Sequence, residues 1–300
     1  MKRRGKQHRH LTVKVSSRLA LVVGCVVASV SHHASAVTVL DDGFEVATHP
    51  TGFRTVAIAP GSAYYGSGSP SAALTNDATF GSTALTVTAT SGYQIISPLG
   101  GSISLATIGD TLTLSFRLRF TNTPTADASA FRFGIHNSAG TPVSSDNFGT
   151  TVADNDQGYY GLVGATTAPT TGATLFNEAG GTPPILAGGD RATITTNTAG
   201  PAISDMLAHT VSLTITRTSA SVMSFSYVFD GGAAITATNS TNLRTSFDEI
   251  VFTNGFTTTL AQYNIDDVLL EASNFTPIPE PAFAGLAGIG LLGLLLRRRA

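Results

Sequence analysis

The 300-residue chain has no tryptophan, a single cysteine, and no lysine after Lys14. Charged residues make up only 12% of it, against roughly 25% in an average soluble protein. Between positions 37 and 276, seven arginines stand against 18 acidic residues, which gives this segment a net charge of −11. Phosphate backbones repel a body of this charge, so the composition excludes nucleic acid as a partner.

The lone cysteine, Cys25, lies inside an N-terminal apolar run at 19–30. If this region is removed as a leader, the mature chain has no disulfide, no thiolate nucleophile and no cysteine-ligated zinc. Residues 22–25 also faintly resemble the lipid-attachment box of bacterial lipoproteins. Lipidation of Cys25 therefore stays open as an alternative.

The N-terminus has the three parts of a secretory signal peptide. Basic residues precede the apolar run, and Ala34 and Ala36 occupy the two small-residue positions that signal peptidase recognises. The apolar run of 12 residues is shorter than the roughly 20 that span a bilayer. We expect residues 1–36 to form a signal helix and its flanks, with cleavage after Ala36 and export of the rest.

The C-terminus has an equally ordered arrangement. Its parts are Pro279-Glu280-Pro281, an apolar run at 282–296, and Arg297-Arg298-Arg299. A helix over that run is about 22 Å long, and arginines at its end stay on the cytoplasmic side. The sequence therefore predicts a single transmembrane helix at 282–296 that holds the body outside the inner membrane.

Residues 277–300 resemble the PEP-CTERM sorting tail of Gram-negative bacteria. The resemblance implies that an exosortase, a membrane transpeptidase, processes the chain near Pro279-Glu280-Pro281. It also implies transient anchoring in the inner membrane, then a final place at the cell surface or in an exopolysaccharide matrix. A plain C-terminal anchor that is never processed is the alternative.

The intervening body, 37–276, has the pattern of strands separated by Gly, Ser, Thr, Asn and Pro turns. In the clearest strand, 111–120, apolar and polar residues alternate, as in a half-buried antiparallel strand. The stretch 166–184 is rich in Thr, Gly and Pro, and we expect either a long surface loop or an excursion at the sheet edge there. The body is predicted to be one all-β domain, an antiparallel two-sheet sandwich. Further strands are predicted at 131–135, 211–215, 223–229, 247–253 and 263–271.

The segment 100–272 also resembles the concanavalin A-like, or laminin G-like, jelly roll. The resemblance implies a lectin-like or glycan-associated scaffold. It is carried by the sequences at 131–135, 156–160, 209–217, 246–250 and 263–268.

The body is poor in the residues that hydrolases use. Its glutamates do not form the paired pattern of a glycosidase strand, and the adjacent Asp248 and Glu249 are expected to point to opposite faces. Its histidines are His49, His136 and His209, without a Gly-x-Ser-x-Gly nucleophile turn. The sequence predicts no catalytic residues and no enzyme.

One loop, 146–156, is rich in the oxygen ligands that Ca²⁺ prefers. The same residue types also form turns, so a Ca²⁺ site and a solvated turn both remain open, and no other cofactor is predicted. The candidate ligands are Asp146, Asp154, Asn155 and Asp156.

Two tyrosine pairs, Tyr64-Tyr65 and Tyr159-Tyr160, lie beside glycine-rich loops. Their rings are candidates for stacking on a sugar, although in each pair one ring is expected to face the core. The sequence predicts an exported, non-enzymatic protein of the cell surface or exopolysaccharide matrix. A carbohydrate-binding, lectin-like adhesin is the main alternative, and a glycoside hydrolase is a weaker one.

Overall fold

All the residues described below belong to one compact unit, Ala34–Ala300. None of them lies in a helix long and apolar enough to cross a membrane. The predicted signal helix and the predicted membrane helix at 282–296 lie outside the described residues. The computed structural model describes residues 36–45, 64–67, 72–88, 92–122, 126–146, 148, 153–170, 172, 174–181, 190–194, 198–255 and 262–273.

The described residues form two eight-stranded sheets, which confirms the predicted all-β antiparallel sandwich. In sheet I the strand order is β14-β13-β12-β6-β16-β4-β3, and β1 also pairs with β16. Its strands are β1 (Val37–Asp42), β3 (Ala72–Asp77), β4 (Ser82–Val87), β6 (Thr111–Phe120), β12 (His209–Ser219), β13 (Val222–Phe229), β14 (Ile235–Asn239) and β16 (Tyr263–Ala272).

Sheet II has the order β10-β9-β8-β7-β15-β5-β2, and β11 pairs with β8 in parallel. Its strands are β2 (Tyr65–Gly66), β5 (Gln94–Ser104), β7 (Asp127–Asn137), β8 (Gln157–Ala165), β9 (Leu175–Glu178), β10 (Arg191–Ile194), β11 (Ala202–Ile203) and β15 (Ser246–Asn254).

Strand β6 shows why the alternating pattern predicts this fold. Every second side chain of β6 is buried and the others are half-buried, over the bounds 111–120 that the sequence predicts. Its apolar side chains point between the sheets, where the ring of Phe116 contacts those of Phe133 and Phe252 at centroid distances of 5.1 and 5.2 Å. Burial of these rings from both sheets holds the sandwich together.

A tight turn follows β13, at the start of the connection to β14. Asp230 and Gly231 have φ angles of 49° and 64°, and Gly232 N–H donates to Phe229 O at 2.9 Å. Two consecutive positive φ angles define a type I′ turn, which suits the right-handed twist of a hairpin.

In the middle of the stretch 166–184 the surface-loop alternative is wrong, because the chain forms a strand near the edge of sheet II. Strand β9 lies there with all four residues buried, and it pairs with β8 on one side and β10 on the other. Four residues are too few for a periodic signal, and the turn residues around them conceal the strand.

Candidate functional site

The outer face of sheet II, which points away from sheet I, carries a row of titratable side chains around a glycine. Ile135, Tyr159 and Leu175 pack into the core between the sheets, so their neighbours along each strand point outward. Strand register then places the outward residues of four adjacent strands side by side. In order across the sheet they are Glu249, His136, Gly158 and Glu178.

Two glycines make room for the imidazole ring of His136 on this face. A Cβ atom at Gly158 would lie 2.6 Å from His136 Cδ2 and 2.2 Å from Ile135 O, and one at Gly134 would lie 2.5 Å from His136 Cε1. The ring therefore crosses above Gly158 and reaches the next strand, where Nε2 lies 3.0 Å from Glu178 Oε2. Both side chains of this His136–Glu178 pair are fully buried.

A row of aromatic side chains lies next to the titratable row on the same face. The rings of Tyr160 and Phe176 stack at 4.9 Å, and the Arg191 guanidinium lies 4.7 Å above the Phe176 ring. Arg191 Nη1 donates to the Tyr160 hydroxyl oxygen at 3.2 Å. Burial raises the pKa of Tyr160 to about 12, even though Arg191 opposes the shift, so the phenol stays protonated at neutral pH.

Two buried carboxyl groups complete the cluster. Burial raises the pKa of Asp156 to about 6, against the opposing influence of His136. Burial, followed by repulsion from Asp156, also raises the pKa of Glu249 well above its ordinary value. Each group therefore favours its neutral form more strongly than an exposed carboxyl does.

A β-bulge brings Asp248 to the same side as Glu249. Strand β15 shifts register against β5 between Phe247 and Glu249, while Phe247 and Ile250 both face the inter-sheet core. The two residues between them therefore share the outer side, and the expectation of opposite faces is wrong. A bulge breaks the period of two on which that expectation rests.

Side chains from the connection between β7 and β8 cover part of this face. Val143, Phe148 and Ala153 join a small second core on the outer side of sheet II. The His136–Glu178 pair and the two carboxyl groups of raised pKa, Asp156 and Glu249, are consequently at most 2% exposed. The other members of this core are Ile96, Tyr160, Leu162, Phe176 and Val251.

An open cleft lies at the margin of the covered face. We call it the Tyr65 cleft; its volume is about 440 Å³, and it is bounded by β2, β5, β15 and the connection after β7. Asp248 lies in the cleft, where its Oδ1 accepts from Ser138 N at 2.7 Å and its Oδ2 accepts from Ser138 Oγ at 2.9 Å. Lining residues include Tyr65, Pro98, Gly101, Pro142, Ser144 and Asp248.

Among the four candidate tyrosines, Tyr65 lines this cleft and is half-buried. Tyr64 and Tyr159 face the core between the sheets, and Tyr160 lies beneath the second core, all three at 1% exposure or less. The next residue, Gly66, donates its N–H to Asp146 Oδ1 at 3.0 Å, which ties β2 to the opposite wall of the cleft.

The four candidate Ca²⁺ ligands lie in different surroundings. Asp146 accepts from Gly66, the Asn155 side chain bonds Thr141 Oγ1 at 3.3 Å, and Asp156 lies in the buried cluster. Burial, followed by repulsion from Asp190, raises the pKa of Asp154. Within the described part of the chain, no three His, Cys, Asp or Glu side chains are placed to hold a metal ion, and the Ca²⁺ site remains a prediction.

A second groove, of about 570 Å³, lies on the outer face of sheet I. Arg117 lines it, but its guanidinium pairs with Asp266 at 2.6 Å and Asp267 at 3.0 Å and lies 4.5 Å above the Phe80 ring. An arginine held on three sides in this way stabilises the sheet and is not available to a ligand.

Sequence reasoning missed the buried cluster and the place of Asp248. The signal for the cluster is present in β8, whose side chains are buried along both faces, as in a strand covered on two sides. The targeting residues Ala34, Pro279, Glu280, Pro281, Arg297, Arg298 and Arg299 lie outside the described residues, and Ala36 is exposed at their edge.

Comparison with family models identifies the C-terminal tail. Residues 277–299 match the PEP-CTERM protein-sorting motif, which confirms the resemblance of the tail. The motif marks the chain as an exported protein that is anchored transiently in a membrane and processed by an exosortase. Comparison with curated proteins returned no match.

Comparison with solved structures returned lectins and a carbohydrate esterase. Peanut lectin with a nine-residue peptide is 10% identical, with 81% of this chain and 100% of the lectin covered at a TM-score of 0.45. Lectin UEA-II in complex with galactose is 10% identical, and the match covers 74% of this chain and 96% of the lectin at a TM-score of 0.43. A carbohydrate esterase of the Shiga toxin-encoding bacteriophage phi24B is 13% identical, with 80% and 100% covered at 0.47.

Proposed function

We propose that the chain is an exported, non-enzymatic protein of the cell surface or exopolysaccharide matrix that binds polysaccharide through the Tyr65 cleft. The observation that carries this proposal is the cleft itself. It combines the half-buried ring of Tyr65 with the carboxylate of Asp248 in an open depression of about 440 Å³. An aromatic face and a fixed acceptor are the two groups that a sugar ring needs, one for its C–H face and one for its hydroxyls.

The burial of the titratable cluster supports a binding role without catalysis. His136, Glu178 and Glu249 are each at most 1% exposed. A general acid or base must come within hydrogen-bond reach of the reacting bond, and a polymer cannot approach side chains so deeply covered.

Binding can be tested on the full-length chain in a sugar-free detergent, with hexasaccharides as probes and calorimetry as the readout. Tyr65→Ala should weaken binding about tenfold, because the stacking face is lost, while Tyr65→Phe should stay within about threefold. Ser226→Ala on the outer face of sheet I is the matched control and should have no effect. Equal affinities for wild type and Tyr65→Ala would exclude the cleft.

The sorting step has its own test in cells that carry an exosortase. Replacing Pro279-Glu280-Pro281 by three alanines leaves the apolar run and its arginines in place, so the full-length anchored form should accumulate. Replacing Arg297, Arg298 and Arg299 by serine should instead weaken membrane retention. Normal maturation of the first variant would point to a plain anchor.

A glycoside hydrolase is the second candidate, and the register irregularity between β15 and β5 is the observation that favours it. The bulge places Asp248 and Glu249 on one face, and the raised pKa of Glu249 is what a general acid needs. Release of reducing ends from a polysaccharide by wild type, but not by Glu249→Gln, would establish this activity. The proposed binding function predicts no release by either.

A further inference from the structure

The Tyr65 cleft carries negative charge. Asp248 is the one charged side chain among the described residues that line it. A second carboxyl group lies nearby, since Asp146 Oδ1 accepts from the backbone N–H of Gly66, the residue after Tyr65. Arg244 is bonded to the Gln157 side chain and to Ala179 O, and Arg132 and Arg191 lie beside Tyr160.

Asp248 is held in place and still has acceptor capacity. Ser138 supplies one donor to each carboxylate oxygen, at 2.7 and 2.9 Å. Each oxygen of a carboxylate has two lone pairs, so two acceptor positions remain. A carboxylate fixed by two donors and half-exposed in a cleft is ready to accept from a ligand without rearrangement.

We propose that the Tyr65 cleft selects amine-bearing sugars, such as deacetylated hexosamines, and rejects uronic acids. The inference rests on the proposed function, because it names the sugar that the same cleft takes. An ammonium group at Asp248 forms a charge-assisted hydrogen bond, which is stronger than a bond to a hydroxyl. A uronate carboxylate in the same place is repelled by Asp248, and no cationic side chain among the described lining residues offsets this repulsion.

The experiment compares four β-1,4 hexasaccharides of equal length on the full-length chain in a sugar-free detergent: glucosamine, N-acetylglucosamine, glucose and mannuronate. At low salt the glucosamine hexamer should bind about tenfold more tightly than the N-acetylglucosamine and glucose hexamers, and the mannuronate hexamer most weakly. The advantage of glucosamine should shrink as salt is added, because screening weakens an exposed ion pair.

Two substitutions separate the local charge from the net charge of the body. Asp248→Asn keeps the shape of the side chain and can keep both bonds to Ser138, so it should reduce glucosamine binding to the level of glucose. Glu271→Gln makes the same change in net charge on sheet I and should leave the order of affinities unchanged. Ser138→Ala keeps the charge of Asp248 and should retain the preference for glucosamine. Melting temperatures near that of wild type show that each variant is folded.

The outcomes distinguish the two proposals. The proposed selection is wrong if neutral hexamers bind through Tyr65 and the glucosamine hexamer binds no more tightly than they do. It is also wrong if Asp248→Asn and Glu271→Gln weaken binding of the glucosamine hexamer equally. In both cases the proposed binding function stands. If no hexamer binds to wild type, the binding function and the selection both fail.

Discussion

The outer faces of the two sheets differ in what covers them. On sheet I, β6 and β12 present hydroxyls such as Thr113 and Thr214, whose Oγ1 atoms lie 3.0 Å apart and half-exposed, and the ion pair of Arg117 with Asp266 lies on the same face. On sheet II the outward side chains include the fully buried His136, Tyr160 and Glu178. The hydroxyl side chains of sheet I are replaceable one by one, whereas the covered face of sheet II contains polar groups that depend on one another.

Tyr160→Ala should produce the largest loss of stability. Its ring is fully buried against Phe176, and its hydroxyl accepts from Arg191. Removing a buried aromatic ring leaves a cavity and should lower the free energy of unfolding by about 4 kcal/mol. Urea denaturation is the measurement, with Ser226→Ala on sheet I as the control, expected within about 0.5 kcal/mol. Similar losses in the two variants would contradict the contrast between the faces.

Gly158→Ala should give the second-largest loss of stability and lower the free energy of unfolding by about 3 kcal/mol. The new methyl group would fill the space that the His136 ring occupies. The new Cβ atom would lie 2.2 Å from Ile135 O, which is backbone and cannot rotate away. Gly43→Ala is the matched control, since its Cβ atom meets nothing nearer than Asp267 Oδ1 at 3.7 Å. Thermal melts of both variants test this, and a stable Gly158→Ala would place His136 elsewhere.

The dependence of stability on pH should also come from the covered face. The folded-state pKa of Asp156, about 6, exceeds its unfolded value of about 3.9. This group therefore stabilises the fold fully below about pH 4, and the contribution is lost as pH rises through 6. Between pH 4 and pH 7, the free energy of unfolding of wild type should fall by about 2 kcal/mol relative to that of Asp156→Asn. Parallel stability curves for the two proteins over this range would show that Asp156 titrates normally.

Thr214→Val should have the smallest effect and change the free energy of unfolding by at most about 0.5 kcal/mol, because the substitution keeps a β-branched side chain on a solvated face. The bond to Thr113 Oγ1 is lost, but water can replace it. A loss above 1 kcal/mol in urea denaturation would mean that the hydroxyl face of sheet I is also covered.

The same contrast explains what the sequence could predict. Strand β6 lies between core and solvent, so its alternation shows both its bounds and its inward face. Strand β8 is buried on both sides and β9 is only four residues long, so neither has a period to detect. The sorting tail was predictable because its chemistry is local and ordered along the chain.

The site depended on contacts between distant segments. Tyr65 and Asp248 lie 183 positions apart along the chain, and they share a cleft only because β2 and β15 flank β5. The bulge that turns Asp248 outward is a property of the β15–β5 register. Nothing in the residues around 248 signals it, since the pattern of an unbroken strand assigns opposite faces to Asp248 and Glu249.

Hydrogen–deuterium exchange on the full-length chain, with and without the tightest-binding hexasaccharide, tests the central claim most directly. If the Tyr65 cleft binds the sugar, exchange should slow at its walls, in the peptides covering 64–67, 98–102 and 138–146, and stay unchanged on β12 and β13 of sheet I. Protection on the outer face of sheet I, with the cleft unaffected, would contradict it.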